Sequence, residues 1–327
     1  MLAILLLVFP RLFGGGRHEQ GPDDTLSAPS TQTGAGSEDG RLTFVMVPKG
    51  VHPYYEPAYR GFDEAAKRYG VQTEVDAPPR FDVALQVKVI EDLIARGVDG
   101  ITISANDDAG LVAVIHKAVV EGIRVITFDA PAPSSEALTY IGTDNESAGY
   151  EAGKRMAREM GLRGKVAVLQ GGLDATNLNL RTRGFIKALA DTAPSIELVS
   201  VVDEGGDFAQ SVNKTEALLA DHPDLNAIFS VSAEGAPAAA AVVKRLGRRG
   251  RIVIAGFDDL RDTLEGIRDG SVVFCVVQRT YRMGWLSVEC LLDCVNGKTL
   301  PKVIDTGVVF VDRRNVDGYT REVGEEG

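Results

Sequence analysis

Along this chain the spacing of hydrophobic positions alternates between a period of two and a period near 3.6. Short β-branched runs at Leu42–Val47, Gln72–Val75, Gly100–Ser104 and Arg124–Phe128 read as strands. Between them, apolar residues recur at helical spacing over Tyr54–Tyr69, Val83–Ala95 and Ala109–Glu121. The middle helix has Val83, Leu85, Val87, Val89, Ile90, Leu93 and Ile94 apolar and stops at Gly97; Gly70 and Gly122 stand just past the other two. Glycine in that place is a helix stop, because the C-terminal turn closes through a left-handed residue. A short strand, Leu138–Ile141, then leads into a helix capped by Asp144 or Asn145.

A second series comes next, with strands at Lys165–Leu169, Glu197–Val202, Ala227–Val231, Arg251–Ala255 and Val272–Val277. Helices fill the gaps at Asn177–Ala190, Ala209–Ala220, Gly235–Leu246 and Leu260–Asp269; a long helix, Tyr281–Val295, precedes a last strand, Thr306–Val311. This alternation predicts an α/β protein of two doubly wound parallel sheets. The first sheet is expected to reverse its order around the first and fourth strands, with the switch point near residues 48–52 and 104–107. Two strands end alike: Arg124-Val-Ile-Thr-Phe-Asp129 and Arg251-Ile-Val-Ile-Ala-Gly-Phe-Asp258, each with helical sequence expected beyond it. Ligands of such sheets bind outside the carboxyl ends of strands. A carboxylate there in each half points to two lobes closing on a hydroxylated ligand. The competing role for both is to cap a following helix.

Composition narrows the classes. With 327 residues, 44% of them hydrophobic, the chain has room for two cored domains. Its 35 basic and 46 acidic residues leave a net charge of −11, which disfavours nucleic acid as a partner. Cys275, Cys290 and Cys294 form no disulfide framework and no His stands near them, so they read as small buried apolar residues rather than metal ligands. Leu2–Phe9 is an apolar run suited to the core of a secretory signal, although Arg11 and Arg17 follow it rather than precede it. Residues 14–40 are rich in Gly, Ser, Thr, Pro and Asp, the composition of a flexible tether.

Several segments, in order, carry a resemblance: Gly61-Phe-Asp-Glu-Ala-Ala66, Leu93-Ile-Ala-Arg-Gly-Val-Asp-Gly-Ile101, Ala118–Asp129, Ile141-Gly-Thr-Asp-Asn145 with Gly149, Arg181-Thr-Arg-Gly-Phe185, Gly256-Phe-Asp258 and Gln278. Over residues 42–312 the chain resembles the periplasmic sugar-binding proteins of the ribose/galactose type, which share their fold with the ligand domains of LacI-type repressors. The resemblance implies two lobes joined by three hinge crossings, near Thr143-Asp144, near Gln278 and around Asp305. The N-terminal lobe would then be 41–143 with 279–305, and the C-terminal lobe 144–278 with 306–312. Residues 1–13 would be a signal or anchor remnant, 14–40 the linker and 313–327 a tail.

The resemblance also implies a site. Asp129 and Asp258 match the family's acceptors of sugar hydroxyls, a role that suits a carboxylate because charge-assisted bonds are the stronger ones. Arg181 matches an arginine whose planar fork reaches the sugar ring, while Arg183, two residues on, reads as a surface charge. Tyr54 and Tyr55 stand where the family has paired aromatics, Phe208 aligns with the opposing wall, and Gln278 aligns with a ligand-binding amide at a hinge. His52 replaces an amide contact, and Asn179 is a further candidate beside Arg181. Lys49, just past the first strand, faces either cleft or solvent. Departures are Ala130, where ribose binders place a second arginine, and Ser104 and Ser232, where they use asparagines. These leave room for a different pentose, a hexose or a modified polyol.

The residues and the resemblance together describe an exported, periplasmic or cell-surface solute-binding monomer, without cofactor or metal, that delivers a pentose or hexose to the permease of an ABC importer. The membrane would be met only through an N-terminal anchor or that permease. A tethered sensing module for a sugar or an autoinducer-2-like signal, feeding a sensor kinase, is the alternative. An enzyme using Asp129 and Asp258 as an acid/base pair is the third reading, opposed by the lack of a Gly-x-Ser-x-Gly elbow, P-loop, His-Glu-x-x-His or dinucleotide fingerprint. A LacI-type regulator would need a DNA-binding headpiece, which residues 1–40 are not expected to form.

Overall fold

Each half of the alternating pattern closes into a sheet of its own. A computed structural model describes residues 40–320; the apolar run at Leu2–Phe9, nearly all of the tether and the last residues of the tail lie outside the described residues. The first series comprises β1 (Thr43–Val47), α1 (Glu56–Tyr69), β2 (Gln72–Val75), α2 (Val83–Arg96), β3 (Gly100–Ile103), α3 (Asp108–Val120), β4 (Arg124–Phe128) and β5 (Tyr140–Gly142). The second runs α4 (Asn145–Glu159), β6 (Gly164–Gln170), α5 (Thr176–Thr192), β7 (Ile196–Asp203), α6 (Phe208–Asp221), β8 (Ala227–Ser230), α7 (Gly235–Arg245), β9 (Val253–Phe257), α8 (Arg261–Asp269) and β10 (Phe274–Gln278). The chain ends with α9 (Thr280–Val295), β11 (Val303–Asp305) and β12 (Val308–Asp312).

Helix starts reflect capping chemistry. Asp82, Asp107, Asp144 and Asp207 each accept a backbone N–H from the first turn of α2, α3, α4 and α6. Asp144, not Asn145, is therefore the cap of α4. Asp129 and Asp258 cap nothing: α8 is preceded by Leu260, and residues 130–139 hold no helix, contrary to the pattern expected beyond Asp129.

The first sheet has the order β11-β5-β4-β3-β1-β2 with every pairing parallel, and the second β12-β10-β9-β8-β6-β7 with only β10–β12 antiparallel. The first sheet reverses between β1 and β3, not between the first and fourth strands. β3 pairs directly with β1 from Phe44 to Val47, so the crevice opens after those two strands. β11 was not foreseen; it is three residues long and pairs Val303 with Tyr140 at the sheet edge, with Val303 56% exposed. Each sheet is covered on both faces, the first by clusters around Phe44, Phe62 and Phe128 and around Ile90, Ile101 and Ile115, the second by clusters around Phe185, Phe229 and Phe257 and around Ile228, Ala239 and Ile254.

The chain passes from one sheet to the other after β5, after β10 and between β11 and β12. These passages are tied together. Thr143 Oγ1 donates to Gln278 Oε1 at 3.1 Å, Asp144 N to Asp305 Oδ1 at 3.0 Å, and Thr306 N to Gly142 O at 2.9 Å. The result is two α/β lobes whose strand ends face one another. All three cysteines are buried and unpaired.

Candidate ligand-binding site

Asp129 and Asp258 both sit one residue past a strand, with φ of 57° and 65°. Among the described residues only one other non-glycine, Leu162, has positive φ. Aspartate tolerates this region better than most residues, at a cost of the order of 1 kcal/mol. The turn places each carboxylate in the lining of the cavity between the lobes, and both are buried.

Their surroundings differ. Asp129 Oδ1 accepts from the Tyr54 hydroxyl at 2.7 Å, and Oδ2 accepts from Ser104 Oγ at 2.6 Å and from the Tyr55 hydroxyl at 3.1 Å. A carboxylate oxygen has two lone pairs, so Oδ2 is filled and Oδ1 retains one. Among the described residues, Asp258 receives a side-chain bond at Oδ1 alone, from Gln278 Nε2 at 3.0 Å. Burial pushes its pKa up to about 6, with Arg181 and the Gln278 bond pulling the other way.

Arg181 is 1% exposed. Its Nε donates to Asn145 Oδ1 at 2.8 Å, its Nη1 donates to Val231 O at 3.0 Å, and its guanidinium lies 4.1 Å from the Phe257 ring centre. Nη2 is buried with no partner among the described residues. The helix pair α4 and α5 sets this position: a Cβ on Gly149 would overlap the Arg181 carbonyl, so only glycine lets the helices approach this closely.

From the first lobe Lys49 crosses the cleft to donate to Asn177 Oδ1 at 3.0 Å. Burial lowers its pKa to about 8, against the opposing pull of Asp129, while Arg181 lowers it further. His52 Nδ1 accepts from Tyr54 N at 3.1 Å, which leaves the Nε2 hydrogen to meet Glu234 Oε1 of the second lobe at 2.7 Å. Behind Ser232, Glu204 accepts from the Ser232 hydroxyl, and its other oxygen is buried without a partner among the described residues. Burial pushes the Glu204 carboxyl up to about 7, the Ser232 bond opposing.

These groups enclose an interlobe cavity of about 70 Å³. Of the residues expected from the sequence, Asp129, Asp258, Arg181, Gln278, Tyr54, Tyr55, His52 and Ser232 line it. Ser104 lies one layer behind, holding Asp129. Asn179 and Phe208 are outside. Asn177, Leu178 and Arg181 share the inward face of α5, whereas Asn179 projects from the other face and bonds Gln170 Nε2 and Leu173 O. Phe208 begins α6 after two positive-φ glycines, Gly205 and Gly206, and is 40% exposed, while Gly206 reaches the cavity. Arg183 is on the surface, paired with Glu146. Sequence reading missed Phe81, Asn177 and Glu234 and left Lys49 open; Asn177 had a signal, standing one helical turn before Arg181.

A family model described as a periplasmic binding protein domain matches residues 43–299. The chain is 30% identical over 256 residues to the ribose import binding protein RbsB of Bacillus subtilis, covering 77% of this chain and 81% of that protein. The chain belongs to the periplasmic sugar-binding proteins of the ribose/galactose type. Among solved structures it is similar to a solute-binding protein from Burkholderia graminis in complex with D-arabinose, with TM-score 0.82, 38% identity and coverage of 85% and 98% of the two chains. It is also similar to GanP, a glucose-galactose binding protein from Geobacillus stearothermophilus, with TM-score 0.82, 32% identity and coverage of 84% and 98%. As a member of this family the protein is a periplasmic solute-binding protein that captures a sugar, and it is not an enzyme.

Proposed function

We propose that the interlobe cavity takes a single monosaccharide, pentose or hexose, and that closure of the two lobes over it forms the surface read by the permease of an ABC importer. The unpartnered Nη2 of Arg181 carries this reading: a buried guanidinium donor facing a cleft of buried carboxylates calls for an oxygen-rich ligand that accepts as well as donates. Size supports it. A cavity of about 70 Å³ corresponds to roughly five to seven waters at about 10–15 Å³ each, which is the scale of one sugar ring. Asp258 retains three lone pairs and Asp129 one, so a ligand with several hydroxyls is divided unequally between the lobes.

Lys49–Asn177 and His52–Glu234 would then act as clasps that form only when the lobes meet. Pentoses fit the arabinose-bound relative, and hexoses the glucose-galactose relative. Thermal-shift measurements on the full chain against pentoses, hexoses and polyols test the proposal. One sugar class should raise the melting temperature, by about 2.7 kcal/mol of added stability at a hundredfold excess over Kd, and Asp258→Ala should abolish the shift. Silence across all sugars would refute it.

A further inference from the structure

The aromatic wall expected of Phe208 is absent from the cavity, and Phe81 lines it instead. Phe81 lies on the loop between β2 and α2, and that loop is braced on both sides. Val51 N donates to Pro78 O at 3.1 Å, and Asp82 both caps α2 and pairs with Arg80 at 2.7 Å. The side chain is 43% exposed, so it stands at the mouth with part of the ring facing outward.

On its own lobe the ring packs against His52, with centroids 5.8 Å apart, and lies so near Gly50 that a Cβ there would come within 2.7 Å of Phe81 Cδ1. Across the cleft, Gly171 and Gly206 line the same cavity with backbone alone. A Cβ on Gly206 would sit 4.0 Å from Phe81 Cδ2 and 3.1 Å from Gly171 O. A ring from one lobe thus meets a glycine bed in the other.

We propose that Phe81 is a specificity-determining wall. It covers an apolar C–H face of the bound sugar and shuts the mouth of the closed cleft, limiting the ligand to one ring. This role rests on the cavity being a sugar site. Stacking an aromatic ring on C–H surface excludes water without competing for hydroxyls. Because Tyr54, Tyr55 and Phe81 all belong to the first lobe, that lobe supplies the aromatic contacts while the second supplies most of the hydrogen bonding. The glycine bed leaves room for the ring on closure, and removing the ring opens a path for a second sugar unit.

Titration calorimetry and stopped-flow dissociation on the full chain test this with wild type, Phe81→Ala and Phe81→Tyr. The probes are D-arabinose, D-ribose, D-glucose, D-galactose and the disaccharide lactose. Phe81→Ala should weaken the monosaccharide that wild type binds at least tenfold, chiefly through faster dissociation, and narrow its preference over lactose by a similar factor. Phe81→Tyr should restore both, and the ligand-free melting temperature should be unchanged because the side chain is half outside. Phe81→Ala binding within twofold of wild type, with discrimination intact, overturns the inference and leaves the sugar reading standing. A wild-type chain silent to every sugar overturns the sugar reading and this inference with it.

Discussion

Acidification should loosen the sugar by acting on Asp258. This carboxylate accepts one side-chain bond and has its pKa pushed up to about 6 by burial. A hydroxyl donates well to an ionised carboxylate and poorly to a protonated one, so bound sugar favours the ionised form. At about pH 5, only about one-tenth of the free protein carries ionised Asp258, against nearly all of it at about pH 7.5. Affinity should therefore fall about tenfold between these values, or about 1.4 kcal/mol, and release of the sugar at the acid end should take up close to one proton, against almost none at the neutral end. Calorimetry in buffers of different ionisation enthalpy reads both quantities. Lys49, lowered to about 8, is largely protonated across this range, the His52–Glu234 pair also lines the site, and Glu204, pushed up to about 7, lies behind it on Ser232. Asp258→Asn separates them: it should bind more weakly at neutral pH with a flattened profile. Affinity constant within twofold from neutral to acid, or an Asp258→Asn chain that keeps the wild-type slope, would refute the reasoning. Stability of the ligand-free protein should move the other way. A folded-state pKa above the unfolded one contributes stability that is complete in acid and lost as pH rises through about 6.

Packing and hydrogen bonding give two further outcomes. Gly149→Ala should force α4 from α5 and cost about 1–3 kcal/mol by urea denaturation, with sugar affinity falling because the overlap is with Arg181 itself; unchanged stability would mean the helix pair has slack. Tyr54→Phe should destabilise by about 1–3 kcal/mol, more than Tyr55→Phe, because Ser104 still holds Asp129 Oδ2 when Tyr55 is cut back; the reverse order in chemical denaturation would overturn this account of Asp129.

Much of the fold was legible because its local signals agree. β-branched runs give strands such as Arg124–Phe128 to the residue, and helices start where an aspartate can cap them. β11 was not legible, since three residues at a sheet edge carry no period and depend on Tyr140 and Ile141 for partners. The two Phe-Asp strand ends were visible, yet their inequality was not: three hydroxyls from positions 54, 55 and 104 converge on Asp129, and only tertiary structure brings them together. Phe208 was misplaced for a local reason, as Gly205 and Gly206 turn the backbone before α6 begins. Phe81 gave no signal, because an aromatic between Pro-Pro-Arg and a helix cap reads as an ordinary loop residue.

Each lobe takes a helix from beyond a passage between the sheets, and for the first lobe this helix comes very late. The cluster holding Phe44, Met46 and Phe62 includes Met283, Val288 and Leu291 of α9. In a chain of 327 residues, that core cannot close until almost all of the polypeptide exists. Domains ordinarily fold from the N-terminus as they emerge, and contacts this far apart in sequence form slowly. The wiring should therefore act as a timer, leaving the first lobe open until α9 arrives and making its refolding rate more sensitive to α9 than to the strands made first.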